Sequence, residues 1–164
     1  MNSPLQLNNY FVADLSYRSN EAYRVEAKVR HEGTIHCNAQ LGTGQNAPDH
    51  FMVSLQLVLE PSEVAPALDP YHISMRIVGF FNFPASSGIS QEDKERMVAL
   101  NGCSILMGLA RGLVAQATGV SEFGKYLLPP LNFVDIANKL TSSASTYVDR
   151  GTVPVMAGAD QEQP

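Results

Sequence analysis

Apolar and polar residues alternate with a period of two over most of the chain up to Phe83, the pattern of half-buried antiparallel strands. In the first stretch Leu5, Leu7, Phe11, Ala13, Leu15 and Tyr17 share one side against Gln6, Asn8, Asp14 and Ser16, with Asn9 the one polar residue in the apolar phase. A second strand is predicted where Tyr23, Val25, Ala27 and Val29 alternate with Arg24, Glu26, Lys28 and Arg30. The same phase resumes after Glu32-Gly33 at Ile35, Cys37, Ala39 and Leu41, which fits a bulged or two-part strand. Residues 41–49, with Gly42, Gly44, Asn46 and Pro48, read as a loop. Phe51, Val53, Leu55, Leu57 and Leu59 then mark a third strand, and Tyr71, Ile73, Met75 and Ile77 open a fourth. Pro61, Pro66 and Pro70 between them remove ladder donors and mark a connection. From Ile77 to Phe83 both faces are apolar, and Phe80, Phe81 and Phe83 fall within four residues, so something must cover the second face.

After a loop at Pro84, Ser86, Ser87 and Gly88 the period becomes that of a helix. Ser90 is placed to cap it, with Glu92 and Asp93 in the first turn near its positive end. The pattern runs to Leu100, falters at Asn101-Gly102 and restarts at Ser104, with Leu106, Leu109, Ala110, Leu113 and Ala117 on one stripe and Gly119 expected just past the end. Ser104, Gly108 and Gly112 leave another face without bulk, at about 1 kcal/mol per Gly relative to Ala. A long loop holding Phe123, Tyr126, Leu127, Leu128, Pro129 and Pro130 leads to a last helix from Val134 to about Tyr147, weakened near its end by Ser142, Ser143 and Ser145. The expected organisation is one α+β domain over residues 1–150, a four-stranded antiparallel sheet on a long helix and a C-terminal helix, with an acidic, disordered tail at 151–164.

Composition fits that reading: of 164 residues, 45% are apolar and 16% charged, enough for a single core. The net charge of −5 excludes a chain that wraps nucleic acid, which needs clustered Lys and Arg. No run approaches 18 apolar residues and the amino terminus lacks a signal-like start, so no membrane span is expected and the cytoplasm is the expected location. Cys37 and Cys103 stand apart without a CxxC pair, and His31, His36 and His50 have no metal spacing, so neither metal nor cofactor is expected. Gly42 and Gly44 lack the rest of a phosphate loop. Cys103, near a helix start, has no base close in sequence and reads as a small core residue. No catalytic constellation is found, and no enzyme activity is expected. Phe80, Phe81 and Phe83 together with the apolar loop of residues 123–130 are more than such a fold is expected to hide, and uncovered apolar surface marks a binding face.

The segment Leu127-Leu128-Pro129-Pro130-Leu131-Asn132-Phe133, followed by Val134-Asp135 and preceded by an apolar helix containing Ala110-Arg111, resembles the signature of SecB-type export chaperones. The first strand, from Leu5-Gln6-Leu7 to Asp14-Leu15-Ser16-Tyr17, and the Gly79-Phe80-Phe81 stretch are similar to that family too, so the likeness covers most of residues 4–140. The resemblance implies an ATP-independent holdase, assembled as a dimer of dimers through first strands and long helices. Unfolded polypeptides would lie in apolar grooves and pass to the ATPase SecA. On that basis Phe80, Phe81, Phe83, Phe123, Tyr126, Leu127, Leu128 and Phe133 are the expected peptide contacts, Ser104, Gly108 and Gly112 the expected self-contact, and Asp14 the expected SecA contact. Arg18, His72 and Ser74 depart from the family's acidic and apolar docking positions, which puts SecA coupling in doubt. Some SecB-like proteins guard an antitoxin instead. Two other classes share the coarse pattern: a hot-dog thioesterase-like domain using Glu92, Asp93 or Glu95, and a structural subunit with one fixed partner.

Overall fold

The computed structural model describes residues 3–25, 33–141 and 145–147. The antiparallel strands β1 (Gln6–Ser19), β2 (Thr34–Gly44), β3 (Ala47–Glu60) and β4 (Tyr71–Asn82) lie in the order β1-β4-β3-β2. A short strand, β5 (Ser145–Tyr147), extends the far edge, parallel to Gly42–Gly44 of β2. The inward face of β3 carries Phe51, Val53, Leu55, Leu57 and Leu59, and that of β4 carries Tyr71, Ile73, Met75, Ile77 and Phe81, all buried. The outer face of the sheet is uncovered by the described elements and is mostly polar.

The long helix runs from Gln91 to Thr118. It starts as α1 (Gln91–Met97), widens into a π turn over Val98–Gly102 and continues as α2 (Cys103–Thr118). Ser90 caps it as the sequence predicts: its Oγ accepts from the Asp93 N–H and donates to the Asp93 carboxylate at 2.7 Å. Lys94 on Asp49 at 2.6 Å and the Gln91 side-chain amide on the Pro48 carbonyl tie this end to β3. The predicted break at Asn101-Gly102 is therefore a widened turn in a continuous helix. Its reason lies below it, since a Cβ on Gly102 would meet Val53 and Phe81 at 3.3–3.4 Å. One turn on, Leu106 sits over Gly79, where a Cβ would come within 2.7 Å of its Cδ2. Two glycines thus bring helix and sheet together.

Five sequence expectations change. β1 carries two bulges, between Leu7 and Asn9 and between Val12 and Asp14, which reverse its phase in the middle. Tyr10 and Val12 face inward there, and Phe11 turns to the outer face against Phe80, with ring centroids 6.1 Å apart. Asn9, the polar exception in the alternation, is an outer-face residue opposite Phe80. The predicted loop at 41–49 is a hairpin turning at Gln45-Asn46, so Gly42 and Gly44 belong to β2. Residues 21–25 are a turn, not strand; the remainder of the predicted first half of strand two, 26–32, lies outside the described residues, as does the tail at 151–164. The last helix is described as α3 (Val134–Thr141); Ser142 and Ser143 lie outside the described residues, and Ser145–Tyr147 is strand and not helix. Gly119 ends α2 with a right-handed φ of −60°, not as a left-handed cap; the left-handed residue in the loop is Gly124.

The glycines separate close approach from open space. Gly79→Ala is expected to destabilise the protein by about 1–3 kcal/mol through overpacking against Leu106 and Phe81. Gly108→Ala, where a Cβ meets nothing within 4 Å, is expected to stabilise it by up to about 1 kcal/mol through helix propensity. Thermal unfolding of the two variants checks the opposite signs.

Candidate functional site

The surface of greatest interest is built where the chain leaves α2 and crosses the end of the sheet. Thr118 anchors this segment from the helix: its buried hydroxyl donates to the Val114 carbonyl at 2.7 Å and accepts the Tyr126 N–H at 2.9 Å. Tyr71, the first residue of β4, anchors it from the sheet, donating to the Gly124 carbonyl at 2.7 Å and accepting the Phe123 N–H at 3.2 Å. Burial, the main influence, pushes the Tyr71 phenol up and the Tyr126 phenol to about 12, so both stay neutral at ordinary pH. On the same end of the sheet the buried Asn20 amide donates to the Pro66 and Asp69 carbonyls, fixing the exit of β1 beside the loop.

These anchors assemble an aromatic cluster that runs from core to surface. Tyr71 contacts Tyr17, Phe123 and Tyr126 with ring centroids 6.0–6.2 Å apart, and Phe123 meets Tyr23 edge-on at 4.8 Å. Tyr71 and Tyr126 are buried, whereas Tyr23 and Phe123 are half-buried and Tyr17 is exposed. Beside the cluster Leu127 stands 57% exposed. On β2, Ile35, Cys37 and Ala39 are half-exposed, and the edge from Thr34 to Gln40 pairs with no strand among the described residues beyond β3.

The predicted contact residues divide on this geometry. Phe81, Phe83, Tyr126, Leu128 and Phe133 are core side chains, at most 5% exposed. Of these, Phe81 packs against both Gly79 and Gly102 between helix and sheet. A charge at Phe81 or Leu128 would therefore break the fold before it altered any surface. Phe123 and Leu127 reach the surface in the cluster, and Phe80 lies on the outer face with Phe11, Val78 and Met52. Tyr17 and Tyr23 were not singled out by the sequence, and only the excess of aromatics at strand ends could have pointed to them.

Ser104, Gly108 and Gly112 are exposed, and nothing in the protomer lies within 4 Å of where a Cβ would stand on either glycine. Both glycines line a groove of about 550 Å³ with Arg111, Ala115, Gln116, Lys125 and Leu127. A further apolar surface is left uncovered where the inward side of β1 extends past α2: Tyr10, Val12 and Tyr17 are each at least 37% exposed, as is Ile105 on the helix. Asp14 lies on the outer face opposite Arg76, and Arg18 stands opposite His72. Burial first and Arg18 second hold His72 below the usual imidazole range, with Glu60 pulling the other way.

Of the acids weighed for catalysis, Glu92 and Asp93 are exposed and Asp93 is engaged in the helix cap; Glu95 lies 3.5 Å from the Gln91 amide. No group of three or more His, Cys, Asp or Glu able to hold a metal occurs among the described residues. Burial drives Cys37 to about 11 and Cys103 to about 12, the latter with help from Cys37, which leaves both thiols protonated and poor nucleophiles.

A sequence profile of the SecB family, described as preprotein translocase subunit SecB, matches residues 1–142. No curated protein matches the chain. Among solved structures, the chain is similar to the Mycobacterium tuberculosis Rv1957 SecB-like chaperone, in complex with a ChAD peptide from the Rv1956 HigA1 antitoxin. The TM-score is 0.56 and the identity 14%, over 79% of this chain and 91% of that one. A protein of unknown function from Streptococcus agalactiae matches at a TM-score of 0.42 and 16% identity, over 77% of this chain and 97% of that one.

The thiols give a pH prediction. Folding keeps both in the neutral form, so the stability they contribute is complete below pH of about 9, where unfolded thiols start to ionise, and is lost as pH rises toward 11 and 12. Cys103→Ala and Cys37→Ala variants should flatten the alkaline fall in denaturation midpoint; an unchanged slope would contradict the assignment.

Proposed function

The chain belongs to the SecB family, and on that footing we propose that it is an ATP-independent holdase that keeps unfolded polypeptides from aggregating. The observation that carries this reading is the aromatic cluster that continues from the core to the surface at Tyr17, Tyr23 and Phe123, with Leu127 beside it. Rings held at one end by the core offer area to an incoming side chain at small ordering cost, about 25 cal/mol per Å² of apolar surface removed from water. The β2 edge from Thr34 to Gln40 would offer backbone donors and acceptors to an extended chain, which adds affinity without regard to sequence. Clients are then selected by being unfolded.

A second copy is the fitting cover for the uncovered inner side of β1, since Tyr10, Val12, Tyr17 and Ile105 make an apolar face next to an unpaired strand edge. Self-association there is part of the same reading, as is action in the cytoplasm. Delivery to SecA is the finer claim. Asp14 is the one acidic group on its part of the outer face and has Arg76 opposite it, so titration with SecA, and loss of binding in Asp14→Lys, decides it. A client dedicated to the chaperone, such as an antitoxin, is the second reading, supported by the peptide-bound relative in the same fold.

The primary test uses purified full chain, no nucleotide and several unrelated unfolded proteins. Substoichiometric suppression of aggregation for all of them is expected; suppression of one alone favours the dedicated reading, and suppression of none removes the holdase. Phe123→Asp and Leu127→Asp should each weaken capture severalfold, because the charge finds no partner among the apolar contacts, while their far-ultraviolet spectra stay like the parent's. Unchanged suppression in both would remove the assignment of this surface.

A further inference from the structure

The surface proposed for clients is carried by a segment with no regular structure of its own. Between Thr118 at the end of α2 and Val134 at the start of α3 the chain is turn and irregular coil. Such a stretch keeps one shape only where the surrounding fold imposes it, because each residue left free retains its conformational entropy. Two hydroxyls reach its backbone. Tyr71 donates to the Gly124 carbonyl at 2.7 Å and accepts the Phe123 N–H at 3.2 Å, and Thr118 accepts the Tyr126 N–H at 2.9 Å while donating to Val114. Each hydroxyl thus uses its donor and an acceptor position at once. The bonds fall at 123, 124 and 126, on and between the residues whose side chains reach the surface, Phe123 and Leu127. Gly124 turns the chain there with a φ of 74°, where a side chain would be strained. Tyr71 and Thr118 are themselves buried, so neither can touch a client.

We infer that Tyr71 and Thr118 are positioning residues for client capture: their hydroxyls hold residues 123–127 in the arrangement that presents Phe123 and Leu127 together. They thereby set the fraction of molecules ready to bind. This rests on the holdase reading and adds to it what fixes the affinity of that site. The Tyr71 ring packs on Tyr17, Phe123 and Tyr126 with or without its oxygen, so the core does not depend on the hydroxyl. Once the hydroxyl is gone, the backbone groups of the half-buried Phe123 and Gly124 can turn to water, and the segment gains conformations while the sheet stays folded. A site whose competent arrangement is only partly populated binds more weakly by that fraction, and the loss appears in association.

The test uses the full chain and a permanently unfolded, fluorescently labelled polypeptide, with association and dissociation followed by stopped flow. Tyr71→Phe and Thr118→Val keep the shape of the side chain and remove its hydrogen bonds. Each should lower the association rate about three- to tenfold and leave dissociation within about twofold of the parent. Leu127→Ala, which removes a contact, should instead speed dissociation. Thr118→Ser, which returns the hydroxyl, should restore the parent's association rate. Gly124→Ala, whose Cβ meets nothing within 4 Å, strains the same turn and should act in the direction of Tyr71→Phe, the two together doing little more than either alone. Hydrogen exchange should quicken at residues 119–127 in the hydroxyl-free variants and stay as in the parent across β3 and β4. Parent-like association in both Tyr71→Phe and Thr118→Val overturns the inference and leaves the holdase standing. Faster exchange throughout the sheet, or a loss that Thr118→Ser does not restore, makes the role structural and likewise overturns it. A parent chain that does not bind the polypeptide fails the holdase reading itself.

Discussion

A single helix cannot cover a four-stranded sheet, and most of what this protein offers to other chains follows from that mismatch. Strands spaced about 4.8 Å apart make a face some 19 Å wide, against about 10 Å for a helix with its side chains. The long helix is seated over the middle strands by Gly79 and Gly102. On one flank α3 and the segment after α2 cover β2 in part; on the other, the inner side of β1 is covered only at Leu7 and Leu15, with Tyr10, Val12 and Tyr17 exposed. Moving the helix to protect β1 would open Leu106 and Phe81, which are buried at the glycine contacts. The cost of a dry core over β3 and β4 is apolar surface at both edges.

Each edge is shaped differently. At the β1 edge the two bulges turn Tyr10 and Val12 inward without giving them anything to pack on, which suits a second copy. At the end of the sheet the hydroxyls of Thr118 and Tyr71 hold the crossing segment by its backbone, with Phe123 half-buried against Tyr71 and Leu127 in solvent. An anchor made through the backbone tolerates exchange of what lies on the surface. Of the charges, Arg111 and Lys125 lie along the groove beside α2, while the outer face mixes Asp14, Arg18, Arg76 and His72.

Much of the fold could be read from periodicity alone, because the inward residues of β3 and β4 keep one phase and the helix shows its stripe on both sides of the widened turn, with a real cap at Ser90. The phase of β1 could not, since each bulge inserts one residue and sends every later side chain to the other face; Asn9 was the only trace. The hairpin at 41–49 hid behind glycines and a proline that normally signal loop. The likeness carried by Leu127 to Phe133 pointed to the family, but not to the division of that segment between core and surface. Alternation and motif cannot tell that Leu128 lies in the core and Leu127 in solvent, because that depends on the tether from Tyr126 to Thr118, made across eight residues. The aromatic run at Phe80 to Phe83 hid its own division for a related reason: Phe81 is buried against Gly79 and Gly102 and Phe83 against Phe51, contacts that alternation cannot show.

Ring resonances of fluorine-labelled Phe and Tyr, followed by nuclear magnetic resonance as an unfolded polypeptide is added without nucleotide, address the uncovered aromatic surface directly. Phe123, Tyr17 and Tyr23 should shift or broaden with the bound fraction while Phe81 and Phe83 stay in place. Rings at 17, 23 and 123 that ignore the polypeptide, or core rings that move with them, would contradict the binding surface described here.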